Sequence, residues 1–122
     1  MEKQDYQIEF EDFVKEYNRS QVDAGQIGEL IVRMAMYFAQ YNMVAVTCEK
    51  QVSRKAVEII KSSDEETGKA LSVAKANLLI DATEEASAFR LAKAHITSIE
   101  QFINSAKYLQ RGVTNEMNYS GV

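Results

Sequence analysis

Histidine and cysteine are the side chains most often used for catalysis and metal binding, and this sequence has one of each, His95 and Cys48. One of each cannot supply the four ligands of an ordinary zinc site within a chain. Ala92 stands three places before His95, so the Glu-x-x-His ligand pair of di-iron bundles is absent. A nucleophile also needs a base held beside it, and a single histidine on a straight helix is a poor candidate. We expect no catalytic residue, no metal and no cofactor, with His95 as a polar residue of a surface or interface.

Carboxylates are the second candidates for chemistry. Asp81, Glu84 and Glu85 lie within about one helical turn, and Glu65 and Glu66 come earlier. All-α nucleotide pyrophosphohydrolases hold magnesium with acidic clusters, but those acids come from facing helices that converge on the metal. The spacing here does not match that pattern, so we interpret these acids as a solvated helix face. The sequence predicts a protein that is not an enzyme.

Basic residues near the middle of the chain are candidates for binding the phosphates of nucleic acid. They are Lys50, Arg54, Lys55, Lys61, Lys69 and Lys75. At one end of a helical hairpin, in a ring of subunits, they would form a basic collar able to follow a phosphate backbone. Glu58 and Asp64 are interspersed, so an ordinary charged helix end is the alternative.

Composition describes an ordinary globular chain of one domain, 122 residues long, with 46% apolar and 26% charged residues. No apolar run is long enough for a membrane span, the N-terminus lacks the pattern of a secretory signal, and the lone cysteine fits a reducing cytoplasm. The net charge is −4, and residues 1–30 carry eight acids against three bases. A general polyanion binder usually has a basic excess, so this balance disfavours non-specific binding of nucleic acid.

The sequence contains no proline, so long helices are possible. The apolar spacing predicts two helices in the first half of the chain. Residues 5–20 have the apolar spacing of a short amphipathic helix. Residues 24–61, with Asp23 as N-cap, show apolar positions at alternating steps of four and three, the heptad pattern of a helix packed along a neighbour. Its seam consists of Ile27, Ile31, Met34, Phe38, Tyr41, Ala45, Cys48 and Val52.

A capping box at Ser62 and Glu65 predicts a bend at residues 61–63 and a second long helix over residues 64–111. Gly112 is its predicted C-cap, and residues 113–122 are predicted to be a flexible tail. The seam of this helix is Leu71, Leu78, Ala82, Phe89, Ala92, Ile96, Ile99, Ile103 and Ala106. The predicted fold class is all-α, a long antiparallel helical hairpin with a short N-terminal amphipathic helix.

Further apolar residues lie off the seam of the helix over residues 24–61, and a two-helix layer cannot cover both of its sides. Met36, Tyr37, Met43 and Val44 are the predicted residues of an interface between subunits. Self-association into a homo-oligomer is the expectation. A monomeric three-helix bundle, in which the first helix folds back over this side, is the alternative.

The stretch from Ala82 to Gly112, ATEEASAFRLAKAHITSIEQFINSAKYLQRG, resembles the small helical early proteins of bacteriophages. In layout, residues 24–112 are also similar to the UvsY-type recombination mediators. Members of that family are short, helical and oligomeric, and they help to load a recombinase on single-stranded DNA. The resemblance implies a phage-type accessory protein that binds single-stranded DNA, a recombinase or both.

Two other functions remain open. An inhibitor of a host defence system would act by occlusion or by sequestering a nucleotide between subunits, and the acidic first thirty residues suit a mimic of nucleic-acid charge. A structural helical adaptor would use the apolar helix over residues 24–61 as its docking surface. In each case the expected location is the cytoplasm, that of the host cell if a phage encodes the chain.

Overall fold

The computed structural model describes residues 3–19 and 22–120, with side chains described as far as residue 115. Four helices make up this part of the chain: α1 (Asp5–Arg19), α2 (Ala24–Lys61), α3 (Val73–Asp81) and α4 (Glu84–Ser120). The described residues contain no strand, only an isolated bridge between Ser63 and Ala70. The predicted all-α class is confirmed.

The helices contribute to two compact units. The first unit combines Met1–Gln40 with Ile96–Val122, and the second consists of Tyr41–His95. Helix α1 and the first part of α2 therefore pack with the last part of α4, whereas the rest of α2 and α4 packs with α3.

Two short helix signals near the N-terminus agree with the structure. Helix α1 occupies the place of the predicted short helix, whose predicted last residue, Ser20, lies outside the described residues. Asp23 caps α2 as predicted: its Oδ1 accepts from the backbone N–H of Gln26 at 2.8 Å. The Gln26 side chain returns the bond by accepting from the Asp23 backbone N–H at 3.0 Å. This reciprocal pair is a capping box, which satisfies two backbone donors that the helix leaves unpaired.

The first unit has a core of large side chains. Tyr6, Ile27, Leu30, Met34 and Ile99 have no exposed surface. Aromatic rings connect α1 to α4, since Phe10 stacks on Phe102 with ring centroids 4.1 Å apart. The Gln110 side chain also donates to the carbonyl of Ala24 at 3.1 Å, which links the last part of α4 to the start of α2.

The second unit has a core of small side chains. Apart from Asp64, the most buried residues in its described part are Ala45, Cys48, Ala76, Ala86 and Ala92. Small side chains let helices approach closely, but they remove little apolar surface from water. This unit is therefore held together by a thinner core than the first.

The predicted capping box at Ser62 is wrong, and the helix that was expected to begin at residue 64 begins at Val73. The Ser62 hydroxyl donates back to the Ile59 carbonyl at 2.6 Å and so closes the end of α2. Asp64 forms a turn instead: its Oδ1 accepts from the N–H of Glu66, and its carbonyl accepts from the N–H of Gly68. Gly68 has φ of +68°, a conformation that a helix excludes.

The cap of α3 is Ser72, whose hydroxyl accepts from the backbone N–H of Lys75 at 3.2 Å. A second interruption of the predicted helix follows at residues 82–83. There the Thr83 hydroxyl donates to the carbonyl of Ile80 and accepts from the N–H of Ala86. One side chain thus ends α3 and caps α4, and the expectation of a single helix over residues 64–111 is wrong.

The predicted end of that helix is also wrong, because α4 passes through Gly112 and ends at Ser120. Gly112 does not have the positive φ of a C-cap glycine. A helix that is already formed adds one hydrogen bond for each residue fixed, and no proline stops it here. Most of the predicted flexible tail over residues 113–122 is consequently helical, and its last two residues lie outside the described part.

The two predicted seams differ in outcome. In α2, all eight seam residues are buried or half-buried. In the other seam, the residues from Phe89 to Ala106 face inward, but Leu78 is 71% exposed and Ala82 is also exposed. The breaks on either side of α3 change the phase of the apolar pattern. A heptad counted across them therefore assigns some exposed residues to the buried side.

Candidate functional site

Large apolar side chains lie on the surface of the second unit. Along its part of α2, Met43 is 73% exposed, Val46 52%, Val57 50% and Ile60 61%. Valine, methionine and isoleucine are normally found in a core. Here the most buried apolar positions hold alanines and a cysteine, while these four larger side chains are exposed.

These four residues share one face of α2. In the sequence, Met43, Val46, Lys50, Ser53, Val57 and Ile60 follow one another at alternating steps of three and four. That is heptad spacing, which places all six on one stripe of a helix. We call this stripe the outer face of the second unit, and it has two apolar pairs separated by a polar centre.

The inward seam occupies another side of the same helix segment. Ala45 and Cys48 are buried, whereas Val46, which follows Ala45 directly, and Lys50, two places after Cys48, are exposed on the outer face. Successive residues of a helix are turned by about 100°. The helix is thus apolar on two sides, and the second unit covers one of them.

The polar centre of the outer face is a shallow groove. Its walls are Val46, Glu49, Lys50, Ser53 and Arg54. Among the described residues, no ion pair within 4.0 Å involves Lys50 or Arg54. Two cations one helical turn apart therefore face solvent beside exposed valine and methionine.

The six predicted phosphate-binding residues differ in whether a carboxylate already pairs with them. Lys75 donates to Asp64 Oδ2 at 2.8 Å and lies 3.7 Å from Glu66 Oε2, and Lys55 lies 3.5 Å from Glu58 Oε2. The remaining four, Lys50, Arg54, Lys61 and Lys69, are exposed. Binding of phosphate by any of them stays a prediction.

Asp64 has the most strongly organised carboxylate of the second unit. The side-chain hydrogen bond from Lys75, together with the backbone N–H of Glu66, lowers the pKa of Asp64 below its ordinary value. The Asp64 side chain is only 11% exposed. Together with Lys75, it closes the connection between α2 and α3, so this lysine is held by carboxylates in the folded chain.

The predicted interface residues fall in both units. Met36 in the first unit is 60% exposed, and Met43 and Val44 in the second are also exposed. Tyr37 is different: it is half-buried and its ring lies 6.2 Å from that of Tyr6. Burial, followed by the charge and hydrogen bond of Glu9, raises the pKa of Tyr37 above its ordinary value. An interface at any of these residues stays a prediction.

Acidic side chains line a groove between α1 and α2 in the first unit. The groove residues are Glu9, Asp12, Phe13, Glu16, Val22, Gln26, Glu29 and Arg33. Four carboxylates against one guanidinium give the groove a negative potential. The sequence signal for this groove is the acidic balance of the first thirty residues.

Cys48 and His95, the residues first considered for catalysis, both lie in the second unit. Cys48 is buried. The ring of His95 lies 5.1 Å from that of Tyr41, both within the second unit. Across residues 3–19 and 22–120, no group of three histidine, cysteine or acidic residues is placed to hold a metal ion.

Sequence reasoning missed three apolar residues of the outer face: Val46, Val57 and Ile60. Their signal is a second heptad phase in α2, which can be found by testing the spacing of residues off the main seam.

The described helices include none that is both long and apolar enough to cross a bilayer. Comparison with protein-family models, curated proteins and solved structures finds no match for this chain.

Proposed function

We propose that this chain is a non-enzymatic accessory protein of the phage type, which self-associates in the cytoplasm and, as an oligomer, binds single-stranded DNA, a recombinase or both as a mediator. One observation carries the proposal. The buried apolar side chains of the second unit are small, while Met43, Val46, Val57 and Ile60 are exposed beside two cations. A protein-binding surface explains why a chain keeps such residues in water.

The layout within the first unit supports an antiparallel pairing of α2 and α4. Gln110, late in α4, bonds Ala24 at the start of α2. Tyr37 and Phe102 both contact Tyr6, at centroid distances of 6.2 and 5.9 Å. These contacts favour opposite chain directions for α2 and α4 within this unit.

The exposed cations support contact with a phosphate backbone. Lys61 and Lys69 lie at the end of α2 and in the connection that follows it, and no carboxylate among the described residues pairs with them within 4.0 Å. Binding that neutralises phosphates releases counterions, so its affinity must fall with added salt.

A gel shift with a fluorescent single-stranded oligonucleotide tests DNA binding. Lys61→Gln and Lys69→Gln should each weaken binding and reduce the slope of log affinity against log salt by about one unit. Lys55→Gln is the matched control, because Glu58 already compensates this lysine and its loss should change little. Binding that ignores both salt and the two variants would contradict a phosphate contact.

The acidic groove of the first unit favours a second candidate, an inhibitor of a host defence protein that acts by occlusion. Its four carboxylates could occupy a basic nucleic-acid site on the target. Binding to a purified effector that competes with DNA for the same site, weakens with added salt and is lost in Glu9→Gln/Asp12→Asn would favour this function. A structural adaptor is the reading that remains if neither DNA nor such an effector binds.

A further inference from the structure

We propose that the outer face of the second unit binds the same face of a second copy of this chain, with the two α2 helices parallel and in register. This inference rests on the self-association in the proposed function and specifies its surface and direction. The occupant is a second copy because the face carries two kinds of complementarity to itself, one apolar and one ionic.

The apolar complementarity comes from heptad positions. In a heptad lettered a to g, Met43 and Val57 occupy a, and Val46 and Ile60 occupy d. These are the positions that fill the seam between two helices of a coiled coil. In a parallel pair in register, each of the four residues meets its own counterpart, and all four leave water together.

The ionic complementarity comes from the two residues that flank the polar centre. Glu49 occupies a g position and Arg54 the following e position, five residues later. In a parallel pair, a g residue of one helix faces the next e residue of its neighbour. Glu49 of each copy therefore meets Arg54 of the other, and the symmetry gives two such pairs.

An antiparallel pair would lose these contacts. Its flanks bring g beside g and e beside e, so with Met43 opposite Ile60 the neighbour of Glu49 would be Ala56 and that of Arg54 would be Thr47. Lys50 at the central a position adds a further argument, because a single lysine there is known to fix register at a cost in stability. In the parallel pair, Glu49 of the other copy lies beside it.

The apolar spacing also extends upstream in the sequence of α2. Val32, Met36 and Ala39 precede Met43 at the same alternating steps. Val32 and Met36, considered within the first unit, are 61% and 60% exposed. The proposed pairing itself uses only residues 43–60, which all belong to the second unit.

A charge-swap cycle on the full chain tests the pairing. Sedimentation equilibrium should give a dimer for the unmodified protein, with a Kd raised about tenfold by Glu49→Arg and similarly by Arg54→Glu. The double variant restores an attractive pair, so its Kd should return to within about threefold of the original. Glu58→Arg is the control, since this exposed glutamate lies off the outer face, and its Kd should be unchanged.

Direction is tested separately by cross-linking. In a Cys48→Ala background, Ser53→Cys places a thiol at a central d position, where two copies of a parallel pair bring it face to face. Oxidation should link most of the protein into a covalent dimer. An antiparallel pair puts Ser53 opposite Lys50 instead, so little covalent dimer in a non-covalently associated sample would overturn the proposal.

The outcomes separate this inference from the function on which it rests. A monomer at high micromolar concentration would remove self-association, and with it both this pairing and the oligomeric mediator. If the protein forms an oligomer but the charge-swap cycle shows no energetic coupling between Glu49 and Arg54, only the proposed parallel pairing of α2 helices is contradicted. Circular dichroism of each variant should match that of the unmodified chain, because both residues are exposed and their substitution leaves no buried group unpaired.

Discussion

At the scale of single residues, a few polar side chains decide where the helices begin and end. Asp64 accepts bonds from the Glu66 backbone and the Lys75 side chain, and it closes the connection between α2 and α3. Thr83 holds both sides of the break between α3 and α4. A sequence offers several serines, threonines and aspartates that could cap a helix, and contacts formed later in folding choose among them.

Replacing Asp64 with asparagine should lower the urea midpoint at pH 7, because Lys75 loses its closest partner in the folded state. The pKa of Asp64 is lower in the folded than in the unfolded chain, so its contribution to stability is present above the ordinary aspartate pKa. It is lost as the pH falls through the folded pKa. Urea unfolding at pH 7 and at successively lower pH should therefore show a difference between the two proteins that shrinks with acid.

Glu66→Gln is the control for this substitution. Glu66 lies farther from Lys75, at 3.7 Å, and its side chain is 85% exposed. An exposed pair of this kind contributes little. If Glu66→Gln were as destabilising as Asp64→Asn, the special role of Asp64 in the connection would be wrong.

A second effect at this scale concerns Tyr37. Its pKa is raised by burial and by the Glu9 carboxylate, so the neutral phenol is favoured in the folded chain. That contribution to stability is complete below the ordinary tyrosine pKa and is lost as the pH rises through the folded value. In an ultraviolet titration of the tyrosines, Glu9→Gln should shift the contribution of Tyr37 toward lower pH. An unchanged titration would exclude a Glu9 contact.

At the scale of helices, apolar spacing predicts the buried side of an uninterrupted helix better than that of helices separated by breaks. The seam of α2 could be read from its spacing because nothing breaks the phase between Ile27 and Val52. The same count fails across α3, where Gly68 and Thr83 reset the phase. The second heptad phase of α2 could also be read from the sequence, but only burial distinguishes a covered stripe from an exposed one.

Substitution of two glycines tests where the helices continue and where they end. Gly112 lies inside α4 with no atom within 4 Å of an added Cβ, so Gly112→Ala should stabilise the chain by about 1 kcal/mol through helix propensity. Gly68→Ala is the counterpart, because φ of +68° costs an alanine roughly 1–2 kcal/mol. Urea unfolding of both variants should give shifts of opposite sign. A destabilising Gly112→Ala would mean that α4 ends at this residue in solution.

At the scale of the whole chain, the two units differ in how much stability their own packing can supply. Burial of large side chains contributes about 1.5–3 kcal/mol for each residue, and the first unit has several in its core. In the second unit the most buried apolar residues are alanines and a cysteine, and larger ones such as Val52 and Phe89 are only half-buried. A partner that covers its outer face would add the apolar contacts that its own core lacks.

Hydrogen exchange should therefore separate the two units. At low protein concentration, amides in residues 41–95 should exchange faster than those around Ile27, Leu30 and Ile99, because exchange follows local opening and a thin core opens more easily. Raising the concentration should slow exchange along residues 43–60 of α2, since association stabilises only the state that presents its outer face. Met43→Asp keeps an exposed position exposed in the monomer and should abolish this concentration dependence. Equal protection in both units at every concentration would show that the small-residue core is sufficient and that the outer face serves another partner.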